Sequence, residues 1–258
     1  MTLEHRDRMF DVSADGPPVV SVRRVRYDGV ADWYDDNCGI DAEGAAALHD
    51  LIGENPGTCL DLGCGTGQYF AFLADWGARV IGLDLSFDQL RLAQKKLARL
   101  VRAEAETLPF ASESFDTVAA IWISTDVEDL QRVLIESSRV LRPGGRLVLF
   151  GVHPCFNGPH VEAMPDGSRL IHPGYREARW HEDSPWWGDG IRRRTGMRHV
   201  PLASLLGAVI DAGLIIEKVS EPRQETVPYI LGLSATKRAA EAVTGAEAVG
   251  RESKDPHD

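Results

Sequence analysis

No run of apolar residues in this chain approaches the roughly 20 needed to cross a bilayer, which excludes a membrane-spanning helix. Cysteine is scarce: four residues, at 38, 59, 64 and 155, with no C-x-x-C pair among them. That pattern argues against a disulfide-stapled scaffold or a common structural-zinc site and favours reduced thiols with a packing role. Basic charge is short as well, since 28 Lys and Arg face 39 Asp and Glu for a formal net charge of −11. Nonspecific nucleic-acid binding depends on cations that neutralise phosphates, so the acidic balance points away from a nucleic-acid partner and toward a small molecule. Residues 1–7 lack the basic-then-apolar order of a signal peptide, and a cytoplasmic location is the default expectation. What remains is 258 residues, 43% of them apolar, without an internal repeat or a second domain. Such a chain fits one large α/β domain that is stable without disulfide or metal.

The most informative stretch is 58–68, Thr-Cys-Leu-Asp-Leu-Gly-Cys-Gly-Thr-Gly-Gln, where an apolar run ends in glycines at 63, 65 and 67 and then turns helical. This predicts a strand, a tight turn and a helix start. Removing every second Cβ from the turn lets the backbone take positive φ and lets a ligand lie directly on it. The dinucleotide fingerprint G-x-G-x-x-G would place its third glycine at position 68, which is Gln68, so a nicotinamide-dependent oxidoreductase is the weaker reading. The next apolar run, 78–83, leads to Asp84, seventeen residues beyond Gly67. A carboxylate ending that strand can accept both hydroxyls of a ribose.

With these residues the sequence resembles the class I S-adenosylmethionine-dependent methyltransferases, in particular their small-molecule branch, from about Tyr27 to about Ala235. The resemblance implies a Rossmann-like α/β fold: seven strands, mostly parallel, helices on both faces, and an antiparallel C-terminal edge. It implies S-adenosyl-L-methionine as cofactor and a small-molecule acceptor, such as a specialised metabolite, as partner, with the protein a monomer or homodimer. The segment Ala103-Glu104-Ala105-Glu106-Thr107-Leu108-Pro109-Phe110 looks like the family's adenine-edge loop, with Glu104 where aspartate is commoner. There Glu104 would accept from the adenine amino group and the Ala105 N–H would donate to a ring nitrogen. The resemblance thus assigns the cofactor to Tyr34, Asp61, Gly63, Cys64, Gly65, Gly67, Asp84, Leu85, Glu104, Ala105 and Ile121, with Tyr27 as an alternative to Tyr34 over its methionine end. A histidine frequent in the family is Asp126 here, which reads either as a helix cap or as a site residue. A non-methylating binder of the same cofactor would carry the same residues.

Elsewhere the pattern is organisational. Residues 1–24 read as a flexible arm, 25–236 as the catalytic domain and 237–258 as a disordered tail. Tyr69, Phe72, Leu73 and Trp76 fall on one helical face that Gly77 ends, and the N–H groups at that helix start would suit a carboxylate. Ser86 and Gln89 read as a capping box opening a helix with Leu90, Ala93, Leu97 and Leu100 on one side. Another helix, with Leu130, Val133, Leu134, Ser137 and Val140 on its face, stops at a Pro143-Gly144-Gly145 turn before a strand from Arg146. Segment 152–200 is long, polar and rich in Trp, Tyr and His, which predicts a lid over the acceptor. His153 and His160 follow a strand end and are the catalytic base candidates. Arg192-Arg193-Arg194 reads as a solvated run or a contact for an acidic acceptor group. No metal is expected.

Overall fold

The computed structural model describes residues 25–39, 41–97, 99–222 and 226–239. The expected arm, and the tail beyond residue 239, lie outside them. Seven strands form one sheet: β1 (Thr58–Leu62), β2 (Arg79–Asp84), β3 (Leu100–Arg102), β4 (Phe115–Ile121), β5 (Leu141–Val152), β10 (Leu214–Ser220) and β11 (Ile230–Lys237). Their order is β10-β11-β5-β4-β1-β2-β3. The β1, β2, β3, β4 and β5 strands pair in parallel, whereas β11 is antiparallel to both β5 and β10. The antiparallel strand therefore lies one place in from the edge, and β11 runs on to Lys237, one residue past the expected domain limit.

Alternation along the strands builds two cores, because successive side chains leave a strand on opposite faces. On β4, Val118 and Ala120 join one core while Ala119 and Ile121 join the other; on β5, Leu147 and Leu149 oppose Val148 and Phe150. The first core is closed by α5 (Leu130–Val140) and α7 (Leu202–Asp211), the second by α2 (Ala42–Ile52), α3 (Phe70–Asp75) and α4 (Phe87–Ala93). A short helix, α1 (Ala31–Asn37), precedes these.

Four local readings change. The α3 face is Phe70 and Leu73 with Tyr69 beside it, while Phe72 is 37% exposed. With Phe70 and Leu73 turned inward, Phe72 lies about 200° around the helix from the first and about 100° from the second, toward solvent. Ser86 Oγ accepts from the Gln89 N–H at 3.2 Å, but Gln89 returns no side-chain bond, so only half of the capping box forms. α4 ends at Ala93, and Leu100 is the first residue of β3 rather than part of the helix. Finally, the Pro143-Gly144-Gly145 turn does not separate α5 from its strand. β5 begins at Leu141 opposite Phe115, bulges, and resumes with Arg146 opposite Thr117.

Residues 152–200 are built rather than open loop. They carry an antiparallel pair β6 (Val161–Ala163) and β7 (Arg169–Ile171), a second pair β8 (Trp180–His181) and β9 (Met197–Arg198), and the one-turn α6 (Ile191–Thr195).

Candidate active site

The glycine turn leaves β1 at the C-terminal edge of the sheet, where ligands of open α/β sheets bind. Gly63, Gly65 and Gly67 all have positive φ, at 73°, 53° and 76°. Gly63 and Cys64 donate their N–H groups to the Leu83 carbonyl at 2.8 and 2.9 Å, which ties the turn to β2. The three glycines serve different ends. A Cβ at 63 would lie 2.8 Å from Ile123 and one at 67 would lie 2.4 Å from the Phe70 ring, so both positions are closed by packing. A Cβ at 65 would meet only Gln89 Oε1 at 3.5 Å and Tyr34 Cε1 at 3.9 Å. Gly65 is the glycine whose open side faces the cavity.

Asp84, the last residue of β2, accepts from the Gly65 N–H at 2.9 Å and from the Ser86 N–H at 2.8 Å. Burial raises its pKa above the ordinary carboxylate value, against the pull of those N–H groups. Asp61, behind the turn, is 1% exposed with Oδ2 unpartnered. Burial, then the neighbouring Asp84 charge, push it up to about 8.

Around these groups lies a cavity with about 910 Å³ of empty space, part of it open to solvent. Of the expected cofactor residues, Tyr34, Gly63, Gly65, Asp84, Leu85, Ala105 and Ile121 line it. Asp61, Cys64 and Gly67 sit behind the lining. Glu104 is exposed and outside it, and the neighbouring Ala103, Ala105 and Glu106 take the wall instead. No residue of α3, the helix start expected to hold a carboxylate, reaches the lining, and Gly63 and Gly65 of the turn take that side of it.

The roof is α1 and the residues before it. Thr66 Oγ1 donates to Asp35 at 2.6 Å, and Gln68, at the position where a dinucleotide fold would have glycine, donates its amide to the Cys38 carbonyl at 2.6 Å. Ser86 Oγ donates to Asp28 at 2.6 Å and the Gly29 N–H to Asp88 at 2.7 Å. These bonds hold the rings of Tyr27 and Tyr34, edge to face at 5.8 Å, over the turn. Trp122 closes β4 in the left-handed region, φ 61° and ψ 5°, and donates its indole N–H to Tyr69 Oη at 2.6 Å. A non-glycine residue held there is a strained conformation of the kind that clusters at functional sites.

Asp126 ends the 3-10 turn Ile123–Thr125, its N–H bonded to the Ile123 carbonyl, but it does not cap α5; Asp129 does, accepting from the Arg132 N–H at 3.0 Å. Asp126 instead lines the cavity, accepts from Tyr27 Oη at 3.0 Å, and pairs with Arg192 of α6 at 2.6 Å. Burial opposes the Arg192 charge, but Asp126 outweighs it and the guanidinium stays above its ordinary pKa. Its neighbours are used otherwise: Arg193 pairs with Asp183, and Arg194 pairs with Asp189 and lies 3.9 Å over the Trp33 ring. Arg26 sits 3.5 Å over Trp180. Residues 152–200 thus cap the site through Arg192 and Arg194, which meet the β4 loop and the roof, while Arg193 stays in an exposed surface pair.

Both histidines predicted as bases lie outside the cavity lining. His153 is 2% exposed; its Nε2 lies 2.7 Å from Glu221 and its Nδ1 accepts the Cys155 N–H at 3.1 Å. His160 is 3% exposed with both ring nitrogens unpartnered. It packs in the cap against Tyr175 and His199, and burial followed by His199 and His181 lowers its pKa to about 4. Among the described residues no group of three or more His, Cys, Asp or Glu is placed to hold a metal ion.

A buried acceptor carboxylate, an exposed turn backbone, an unpartnered amide and aromatic faces are what an adenosine with an amino-acid end requires, so the residues present fit S-adenosylmethionine. Sequence comparison agrees. The Methyltransferase domain family model matches residues 60–149. The ubiquinone/menaquinone biosynthesis C-methyltransferase of Syntrophotalea carbinolica is 33% identical over 190 residues, 64% of this chain and 78% of that protein. The chain belongs to the class I S-adenosylmethionine-dependent methyltransferases. The sterol 4-C-methyltransferase of Caenorhabditis elegans is 31% identical over 100 residues, 36% of this chain but only 30% of that protein. An S-adenosylmethionine-dependent methyltransferase structure from Mesorhizobium loti superposes with a TM-score of 0.64 at 25% identity, covering 76% of this chain and 98% of that one. The family's cofactor is S-adenosylmethionine, and the seven-stranded sheet is its fold.

The sequence pointed to the turn and Asp84 through spacing, and to Ala105 through the family resemblance. It gave no place at the cavity to Gln89 or Trp122, and did not pair Arg192 with Asp126. Arg192 and Asp126 are 66 residues apart, and no local pattern announces such a pair.

Proposed function

We propose that this methyltransferase moves the methyl group of S-adenosylmethionine to a small-molecule acceptor, a natural product or other specialised metabolite, releasing S-adenosylhomocysteine. The observation that carries this reading is the cavity between the glycine turn, Asp84 and the cap, which is closed on its sheet side and aromatic on its roof. When bound, the cofactor supplies a sulfonium-activated methyl group, so the protein's task is alignment and exclusion of water. Asp84 and the Gly65 backbone orient the nucleoside, Ala105 receives the adenine edge, and Tyr34 covers the amino-acid end. The acceptor then lies toward Trp122, Tyr27 and Asp126, beneath the cap of residues 152–200. Asp126, held by Arg192 and Tyr27, is the carboxylate nearest that end. Positioning carries the reaction without a base at His153 or His160, since neither lines the cavity. The catalytic unit is 25–236, the cap is its insertion, and the setting is cytoplasmic.

The relatives are named for quinone, sterol and acyl-carrier-protein substrates, and the assay samples acceptors of different chemistry accordingly. Purified protein incubated with methyl-labelled cofactor and fractionated metabolite extracts should move label into a small molecule, with one S-adenosylhomocysteine formed per transfer. Cofactor that binds and is never consumed across the panel would contradict methyl transfer and favour a structural use of the ligand.

A further inference from the structure

Gln89 lies on α4 among the buried residues Leu90, Leu92 and Ala93 and is 1% exposed. Both atoms of its amide, Nε2 and Oε1, are without a protein partner. A buried amide left unbonded is unfavourable compared with an apolar side chain of the same size, and packing alone would be better served by methionine or leucine. The amide is also aimed: Gln89 lines the cavity, and Oε1 faces the open side of Gly65, 3.5 Å from where a Cβ would stand. Gly65 is the residue whose N–H holds Asp84 Oδ2. One glycine thus links the two groups, a carboxylate that only accepts and an amide that both donates and accepts.

We infer that Gln89 is a positioning residue for the ribose diol of the cofactor, working with Asp84 from the α4 side; this rests on the cofactor assignment above. Each hydroxyl of a diol donates once and accepts twice. A hydroxyl that donates to Asp84 presents its lone pairs to the Gln89 N–H, and its neighbour can donate to Oε1, so one diol satisfies both the carboxylate and the orphaned amide. An ammonium in the same place would leave the Gln89 Nε2 donor unmet, and a carboxylate would leave Asp84 and Gln89 Oε1 without a donor.

The test is calorimetric binding of S-adenosylhomocysteine and of its 2′-deoxy and 3′-deoxy analogues to the parent protein and to Gln89→Met, with unfolding midpoints recorded for both proteins. The parent should prefer the full ribose. Gln89→Met should bind S-adenosylhomocysteine at least tenfold more weakly, keep or raise its unfolding midpoint, and lose the preference for ribose over at least one deoxy form. Equal affinity in the two proteins, or an equal loss for ribose and both deoxy ligands, overturns the inference, because the second result is what a packing defect gives. If Gln89→Met does not fold, Gln89→Leu removes the donor and the acceptor together in a smaller apolar side chain. It should show the same loss of ribose preference, and a retained preference refutes the role. A parent protein that binds none of the three ligands refutes the cofactor assignment itself, a different failure.

Discussion

Alanine at Gly65 and alanine at Gly67 separate ligand contact from folding, because the two glycines share backbone conformation and differ in what surrounds them. Both have positive φ, 53° and 76°, and a side chain in the left-handed region costs about 1–2 kcal/mol. At Gly65 that is the whole structural cost, since the new methyl meets nothing closer than 3.5 Å. For a domain of this size about 1 kcal/mol lowers the unfolding midpoint by roughly 2–4 °C. At Gly67 the methyl would stand 2.4 and 2.6 Å from two Phe70 ring atoms, and overpacking adds about 1–3 kcal/mol. Gly67→Ala should therefore lose about 3 kcal/mol of stability in urea unfolding, and Gly65→Ala about 1 kcal/mol. Affinity should follow the opposite order. The Gly65 methyl would occupy the surface on which we propose the cofactor lies, and S-adenosylhomocysteine binding by calorimetry should weaken by about 100-fold or more, near 2.7 kcal/mol. Gly65→Ala that binds within about threefold of the parent, with its fold intact by circular dichroism, refutes the idea that the ligand rests on the turn.

Asp84→Ala should weaken S-adenosylmethionine binding by about 1.5–3 kcal/mol, the size of hydrogen bonds to a charged group; unchanged calorimetric affinity would remove the ribose assignment. Arg192→Met leaves Asp126 nearly buried without its cation and should cost about 3–5 kcal/mol of stability, most of it recovered when Asp126→Leu is added; a loss below about 1 kcal/mol in urea unfolding would mean the pair is a surface bond. His160 takes up a proton near pH 6.5 in the unfolded chain and near pH 4 in the fold. Stability should therefore be unaffected by this group above pH 6.5 and fall as the pH drops toward 4, by at most about 3 kcal/mol. Denaturant unfolding at pH 7 and pH 5 checks this, and His160→Leu should flatten the difference. His153→Ala should leave cofactor affinity near the parent value and shift turnover equally at every pH; a loss confined to low pH would restore it as a base.

The central strands and the turn were legible because they are local. An apolar run, glycines at alternate positions and an acidic residue one crossover later fix the chemistry of 58–84 with no information from elsewhere in the chain. What escaped the sequence depends on distance or on end effects. Leu100 has helical spacing from Leu97 and Ala93, yet α4 ends at Ala93 and β3 takes Leu100 beside Gly82. Glu104 matched a family position, but the loop turns it outward and sends Glu106 to the cavity wall. His153 and His160 stand after a strand end as bases often do, and long-range partners, Glu221 for one and the cap's own rings for the other, decide their fate. The Arg192–Asp126 pair shows the same limit, since the triplet of arginines is identical in sequence and each member has a different partner.

A crystal structure of the protein with S-adenosylhomocysteine tests the account most directly. The ribose hydroxyls should lie within hydrogen-bonding distance of Asp84, the homocysteine end against the 63–65 backbone beneath Tyr34, and the adenine beside Ala105. Ligand density elsewhere, for instance in the outer groove between Arg79, Lys96 and Phe72, with the cavity at Asp84 unchanged, would contradict it.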